Sequence, residues 1–554
     1  MVLIMNVEAI QRVQSRLAIK AYKDKEHQFE NLMSLIRRPD WIEYAIRKVL
    51  TNTGSKTAGV DQWNKSSFLD SKGKISQDRI DRAVGIVRNN LKKYKPDPVK
   101  RVYIPKSNNS LRPLGIPTIF DRTVQMAVKL VLEPIYESDF LDCSYGFRPR
   151  RGTHQVLVPI RNAMLNKYHW VIEGDIAKYF DEVNHDLLID KMKQRIKDQK
   201  ILQVVNSMLK AGIMEDGLFS DSDIGTPQGG VVSPLLANIY LDSFDQWWME
   251  KWGKLTKARR HNRRVQGLGH FKLIRYADDW LLLSNAGKTH VQEVKNEVKD
   301  FLGDHLKLRL SEEKTKITHC KDGFDFLGWH FVWTRNPMSN KSFLLILPSK
   351  KGQLRFRRKI KELTLRSTTN VDYRLKLQAM NRIIKGWGNY YRYTNASDTF
   401  DGLDWYIRNR LIIWLKAKTG RGSEYCEKRY RFWSAGQLVW GARGYRNVKP
   451  VRLFDLTKLK VISDPRRLPK YMRSTPKINP YMGDFDTYYY SSDSFDRVNN
   501  TMDDPWFGQD SSYEENWRTK RERTIKHDHG QCVECGSTVS RLEVHHRTKH
   551  ESGR

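Results

Sequence analysis

The chain has 554 residues, several times the size of a usual domain, so three or four domains are expected. Hydrophobic residues make up 39% and aromatic residues 11%, enough to bury real cores, which excludes a disordered chain. Lys and Arg number 98 against 63 Asp and Glu, a net charge of +35 that points to a polyanionic partner. No long amphipathic anchor, lipidation pattern or stretch of ~18 apolar residues accompanies the charge, so nucleic acid is a better partner than a membrane surface.

Residues 1–90 read as helices joined by polar turns: Trp41-Ile42, Ala45-Ile46 and Val49-Leu50 recur at helical spacing. From about residue 100 to 335 short apolar runs such as Val102-Tyr103-Ile104, Trp170-Val171-Ile172 and Leu281-Leu282-Leu283 alternate with helical stretches, the pattern of an α+β domain. Residues 350 to about 420 turn helical again, with Phe356, Ile360 and Leu363 on one face and Arg and Lys opposite. Residues 436–515 are rich in Tyr, Asp, Asn and Pro and weakly periodic, and the last forty switch to Arg, His and Cys. The basic residues are bunched: seven between Lys92 and Arg112, five in the eight positions Lys257–Arg264, and eight between Lys350 and Arg366. Five cysteines make no disulfide framework; Cys143, Cys320 and Cys426 are isolated, so a reducing, cytoplasm-like compartment is expected.

The sharpest feature is Leu273-Ile274-Arg275-Tyr276-Ala277-Asp278-Asp279-Trp280-Leu281-Leu282-Leu283, strand-forming residues around a central Ala-Asp-Asp. It predicts a β-hairpin with paired acids at its tip. Two adjacent ionised carboxylates repel, and a divalent cation resolves the conflict. A third acid, Asp175, ends the apolar run Trp170–Gly174 and is followed by Tyr179-Phe180. Two strands presenting these carboxylates can hold two Mg²⁺, hard cations that share oxygen ligands with substrate phosphates, for phosphoryl transfer to a primer 3′-hydroxyl.

Tyr276-Ala277-Asp278-Asp279 resembles the YxDD signature of reverse transcriptases. Further blocks follow in the order of group II intron reverse transcriptases: Tyr103-Ile104-Pro105-Lys106 with Leu111-Arg112-Pro113-Leu114-Gly115-Ile116-Pro117, Tyr145–Pro149, Asp175–Asp181, Gly225–Pro234, Leu310–Thr315 and Phe326-Leu327-Gly328. The resemblance implies a right-hand polymerase, α+β, with fingers and an antiparallel palm sheet followed by an α-helical thumb and maturase domain. It divides the chain into an N-terminal extension and start of the fingers (1–90), fingers and palm (91–345), thumb and maturase (346–435), a DNA-binding region (436–515) and a partial HNH endonuclease (516–554). It implies that Asp175 and Asp278 ligate the metals, that Asp279 completes the acidic cluster, and that the Ile176 carbonyl can add a ligand. Lys106 and Arg112 would grip the incoming triphosphate. Phe180 would be the gate against a ribose 2′-hydroxyl, and Gln228 would position the dNTP beside a close-approaching Gly-Gly. Ile384–Arg392, with its interleaved cations and aromatics, is similar to the maturase signature; several of its aromatics can equally be core residues.

In the tail, Cys532-Val533-Glu534-Cys535 and Glu543-Val544-His545-His546 resemble the start of an HNH (ββα-metal) endonuclease, in which His546 activates water and His545 helps hold the metal. One CxxC supplies half of a structural Zn²⁺ site. The family's second cysteine pair, its Asn and its closing metal-ligand histidine are missing, so the expectation is either a vestige or a domain cut short, without second-strand cleavage by this chain. The implied partners are intron RNA, an RNA template with its DNA primer, target DNA and dNTPs, in a bacterial cytoplasm or nucleoid, or an organelle of bacterial origin. Two alternatives stand beside this reading. One is a splicing-only maturase, against which the intact acids argue; the other is a domesticated reverse transcriptase used in repair or defence.

Overall fold

The computed structural model describes residues 7–105, 111–215, 218–220, 229–335, 338, 340–444, 448–463, 467–469 and 479–482. Lys106, Gln228, Cys532, Cys535, His545 and His546 lie outside the described residues, as does the whole endonuclease-like tail. The chain divides into two compact units: residues 1–353 with 392–396 and 461–502, and residues 354–391 with 397–460 and 503–554.

Among the described residues the strands are, in chain order, β1 (Val99–Pro105), β2 (Leu111–Ile116), β3 (Trp170–Gly174), β4 (Ile213–Glu215), β5 (Leu218–Ser220), β6 (Phe271–Tyr276), β7 (Asp279–Ser284), β8 (Lys316–His319), β9 (Phe324–Phe326), β10 (Trp329–Arg335), β11 (Ser342–Pro348), β12 (Arg431–Ser434), β13 (Gln437–Ala442) and β14 (Val451–Arg452). The first unit is α+β, with three sheets among many helices. One has the order β2-β1-β4-β5, a second β6-β7-β3-β8 and a third β11-β10-β9.

The second of these sheets positions the site. It is antiparallel throughout. Its central strands are continuous apolar runs: Val171, Ile172, Leu282 and Leu283 have no exposed surface. Such burial on both faces explains why alternation is absent there. The helix Lys288–Leu306 packs on the sheet core through Val291, Val294, Val298 and Leu302, a stripe at helical spacing. The helix Ser233–Trp248 is almost wholly buried, yet it carries Asn238, Asp242 and Asp245 at i, i+4 and i+7. The same core extends into the N-terminal helices: Trp41 Nε1 donates to the Ala127 carbonyl at 3.1 Å and Gln14 Nε2 to that of Leu130 at 2.8 Å. Both acceptors belong to the buried helix Ile119–Tyr136, whose N-cap Thr118 hydroxyl accepts from the Asp121 amide at 3.1 Å.

The second unit is built on helices Tyr373–Tyr391, Ser397–Thr419 and Ser423–Tyr430 and the end of the helix Lys350–Leu363. Phe356, Ile384, Trp387, Tyr391 and Phe400 are buried together, with Trp387 4.9 Å from Phe356 and 4.4 Å from Tyr391 between ring centroids. In the maturase-like stretch, therefore, Trp387 and Tyr391 are core residues. A small antiparallel sheet, β12-β13-β14, begins at the end of the segment expected to be helical (346–435) and continues into the weakly periodic region, and the sequence pattern does not announce it.

Candidate active site

Register brings the acids together. In β3 and β7, Trp170 opposes Ser284 and Gly174 opposes Trp280, so the next step faces Asp175 toward Asp279. Tyr276 pairs with Asp279 in the β6–β7 hairpin, leaving Ala277-Asp278 as its two-residue turn. Ala277 takes φ +57°, the left-handed region in which glycine is favoured at the first position of such a turn. Two glycines let the backbone close around this turn. A Cβ on Gly146 would come within 2.4 Å of the Ala277 nitrogen, and one on Gly174 within 2.1 Å of the Trp280 indole.

A buried polar cluster holds the turn from below. The Arg275 guanidinium donates to Asp245 through Nε at 2.8 Å and through a second, shorter bond, to Asn238 Oδ1 at 3.1 Å and to the Ala277 carbonyl at 3.0 Å. Asn238 Nδ2 in turn donates to the Gly146 carbonyl at 2.8 Å. Alongside, the Tyr145 amide donates to the Arg275 carbonyl at 2.9 Å and the Arg275 amide to the Cys143 carbonyl at 2.7 Å. The Tyr145-Gly146 segment is thus stitched to the strand that leads into the acids.

The electrostatics at the tip fit a cation. Lys314 Nζ lies 2.8 Å from Asp175 Oδ2. Desolvation, then the charges of Asp278 and Asp175, push the Asp279 carboxyl up to about 7, against the opposing pull of Lys314 and Lys351. The residue nevertheless keeps an open outer face, so crowding by its acidic neighbours is the part of that shift an added cation would relieve. Among the described residues no three His, Cys, Asp or Glu side chains form a ready-made metal cage. Mg²⁺ does not require one, because it binds through one or two carboxylates and completes its shell with waters and substrate phosphates. All-oxygen donors suit that ion. The Asp175 carbonyl accepts from Ser311 and the Ala177 amide donates to Arg309, at 2.9 and 2.8 Å. Ile176 and Leu310 are therefore a non-hydrogen-bonded pair, and the Ile176 carbonyl is aimed away from Leu310.

Phe180 is half-buried on the short helix Tyr179–Glu182, five residues beyond Asp175, edge-on to Tyr179 at 5.3 Å. Tyr179 is anchored by its hydroxyl, which donates to the Ala237 carbonyl at 2.6 Å. Arg112 opposes Ile104 across the β1–β2 ladder. Gly229, after Gln228, takes φ +115°, and a Cβ there would stand 2.5 Å from the Gly115 carbonyl of β2. Sequence reasoning assigned no role to Lys314, Arg275, Asn238 or Asp245. Lys314 falls in a recognised block, and the two helix residues form a polar stripe in an apolar helix, which is the signal that could have found them.

Residues 104–331 match a family profile described as reverse transcriptase (RNA-dependent DNA polymerase), and residues 353–433 match the group II intron maturase-specific domain. The chain is 38% identical over 366 residues to Protein YkfC of Escherichia coli, an alignment covering 62% of this chain and 94% of that protein. It is 32% identical over 360 residues to the group II intron-encoded protein LtrA of Lactococcus lactis, covering 57% of this chain and 58% of LtrA. A 91 kDa protein in the cob intron of Schizosaccharomyces pombe is 30% identical over 431 residues, 68% of this chain and 52% of its own length.

Proposed function

Because the chain belongs to the family of group II intron reverse transcriptases with a maturase domain, we propose that it extends a primer 3′-hydroxyl with dNTPs on an RNA template. We further propose that it binds its intron RNA to promote splicing and retrohoming into target DNA. The observation that carries the polymerase reading is the Gly174–Trp280 pairing of β3 with β7, which sets Asp175 beside Asp279 and the turn acid Asp278, both of whose charges act on Asp279.

In this reading Asp175 and Asp278 are the metal ligands, the Ile176 carbonyl adds an oxygen, and Asp279 sets the local charge. When bound, two Mg²⁺ would neutralise the triphosphate and lower the pKa of the primer hydroxyl. The remaining work falls to the chain's own residues. Lys106 and Arg112 hold the triphosphate, Gln228 aligns the nucleotide, and the Phe180 ring fills the space a ribose 2′-hydroxyl would need. The 346–435 segment serves as thumb and maturase and binds intron RNA, and 436–515 contacts target DNA. The Cys532/Cys535 and His545/His546 pairs belong to an HNH-like endonuclease segment.

Primer extension with Asp278→Ala tests the site: cDNA synthesis should disappear, and its persistence would exclude these carboxylates. Binding of intron RNA by the same variant should survive, since the maturase helices are untouched.

A further inference from the structure

The palm sheet has a second charged end. Its strands run from the acids back to a row formed by Phe271, Ser284, Trp170 and His319, roughly 17 Å away at about 3.4 Å per residue. The helix Lys257–Val265, sequence KARRHNRRV, leads into this row. It buries none of its residues. A helix polar on every side is kept by opposite-charge pairs along its surface or by a partner that bridges it. Here the i, i+4 neighbours are Arg259 with Arg263 and Arg260 with Arg264, like charges that oppose helix formation.

Only Arg263 is committed to the fold. Its guanidinium stacks 4.5 Å above the Trp252 ring, and its Nε donates to the Gly269 carbonyl at 3.2 Å. Lys257, Arg259, Arg260 and Arg264 are exposed and take part in no ion pair among the described residues. Lys167 and Lys321, also exposed, lie at the same end of the sheet, where they and His319 help hold the His169 imidazole below its ordinary value behind the leading effect of burial. Arg260 and Arg263 act likewise on His270. The acids around it are engaged elsewhere, Glu293 with His290, Glu250 with Lys254 and Glu297 with Lys251, while Asp322 sits beside Lys321, and they do not balance the exposed cations.

We infer that this basic pole, centred on Lys257, Arg259, Arg260 and Arg264, is a docking surface for the phosphate backbone of an RNA duplex, separate from the template–primer site. The inference rests on the RNA-binding part of the proposed function and names a surface for it. An anionic membrane would need an apolar face on the helix, and there is none. A-form RNA is gripped through phosphates and shape without base readout, which is what a rod of unpaired Arg and Lys offers.

The test uses the full chain, with its polymerase cleft filled by template–primer, and a blunt RNA duplex of about 20 base pairs followed by fluorescence anisotropy. In Lys257→Gln/Arg259→Gln/Arg260→Gln/Arg264→Gln, duplex affinity should fall at least ~10-fold. The slope of log K against log salt should become shallower by about 3, while primer extension stays within about twofold. Lys167→Gln/Lys321→Gln, which leaves the helix intact, should weaken the duplex by about threefold. Wild-type affinity in both variants, or a duplex loss matched by an equal loss of primer extension, overturns the separate surface, as does failure of the wild type to take up the duplex. A wild type that binds the duplex as described but extends no primer sinks the polymerase reading and leaves this surface standing.

Discussion

Arg275 and Asp245 form a two-pronged ion pair whose side chains expose no surface, and the same guanidinium holds the carbonyl of Ala277 in the turn beside Asp278. Burial alone would lower the Arg275 pKa, but the Asp245 charge and hydrogen bonds override it and drive it up. Arg275→Met should cost about 3–5 kcal/mol in urea unfolding, because it strands a buried carboxylate. Arg275→Met/Asp245→Leu should recover most of that stability. Primer extension should stay low in both, since neither variant donates to Ala277 or Asn238. A stable double variant with wild-type extension would show that the pair serves folding alone.

Gly146→Ala places a methyl 2.4 Å from the Ala277 nitrogen. Backbone on both sides leaves no flexible group to yield, so the turn must move. The expected result is a loss of about 1–3 kcal/mol in stability and a fall of ~10-fold or more in the extension rate constant, with template–primer affinity retained.

Lys314 is the counter-ion of Asp175, with Nζ 2.8 Å from Oδ2, and competes with a cation for that carboxylate. Lys314→Gln should then lower the Mg²⁺ concentration for half-maximal extension. The pair is partly exposed and worth about 0.2–1 kcal/mol, so a Mg²⁺ titration should shift by roughly 1.5- to 5-fold. An unchanged or higher requirement would give the lysine another task.

Asp242, in the buried cluster beneath the turn, supplies a pH prediction. Desolvation pushes its carboxyl up to about 7, with Asp245 adding to the effect and Lys191, Gln246 and Arg275 opposing it. Between the ordinary carboxylate value of about 3.9 and about 7, the folded chain keeps a proton that the unfolded chain has released. Stability therefore falls as pH rises through that window, by up to about 1.4 kcal/mol per pH unit, and levels off above it. Asp242→Asn should remove this slope: more stable than wild type at pH 8, similar to it below pH 4. Parallel denaturation curves at all pH values would refute the assignment.

The hairpin and its acids were legible because strand-forming residues flank a polar pair, and a two-residue turn leaves one register open. The Arg275–Asp245 pair was not, because the partners are 30 positions apart and on different element types. Alternation said nothing about β3 and β7, which are apolar on both faces. The β12–β14 sheet gives a weak signal for the opposite reason: its strands are short, Trp433 in β12 stands 74% exposed, and in β13 burial falls on the adjacent Trp440 and Gly441 and does not alternate. The maturase-like aromatics illustrate a third limit. One pattern of cations and rings serves both readings, and the burial of Trp387 and Tyr391 in the core is what separates them.

Gly174 offers no functional group, yet the Trp280 ring fills the place its side chain would take. That notch keys β3 to β7 at a single alignment; a slip of one position would turn Asp175 to the other face of the sheet. In an unbiased screen for lost polymerisation, substitutions at Gly174 should score as severely as those at the aspartates. A mutational map of this chain will therefore mark more positions as essential than there are groups that touch the nucleotide.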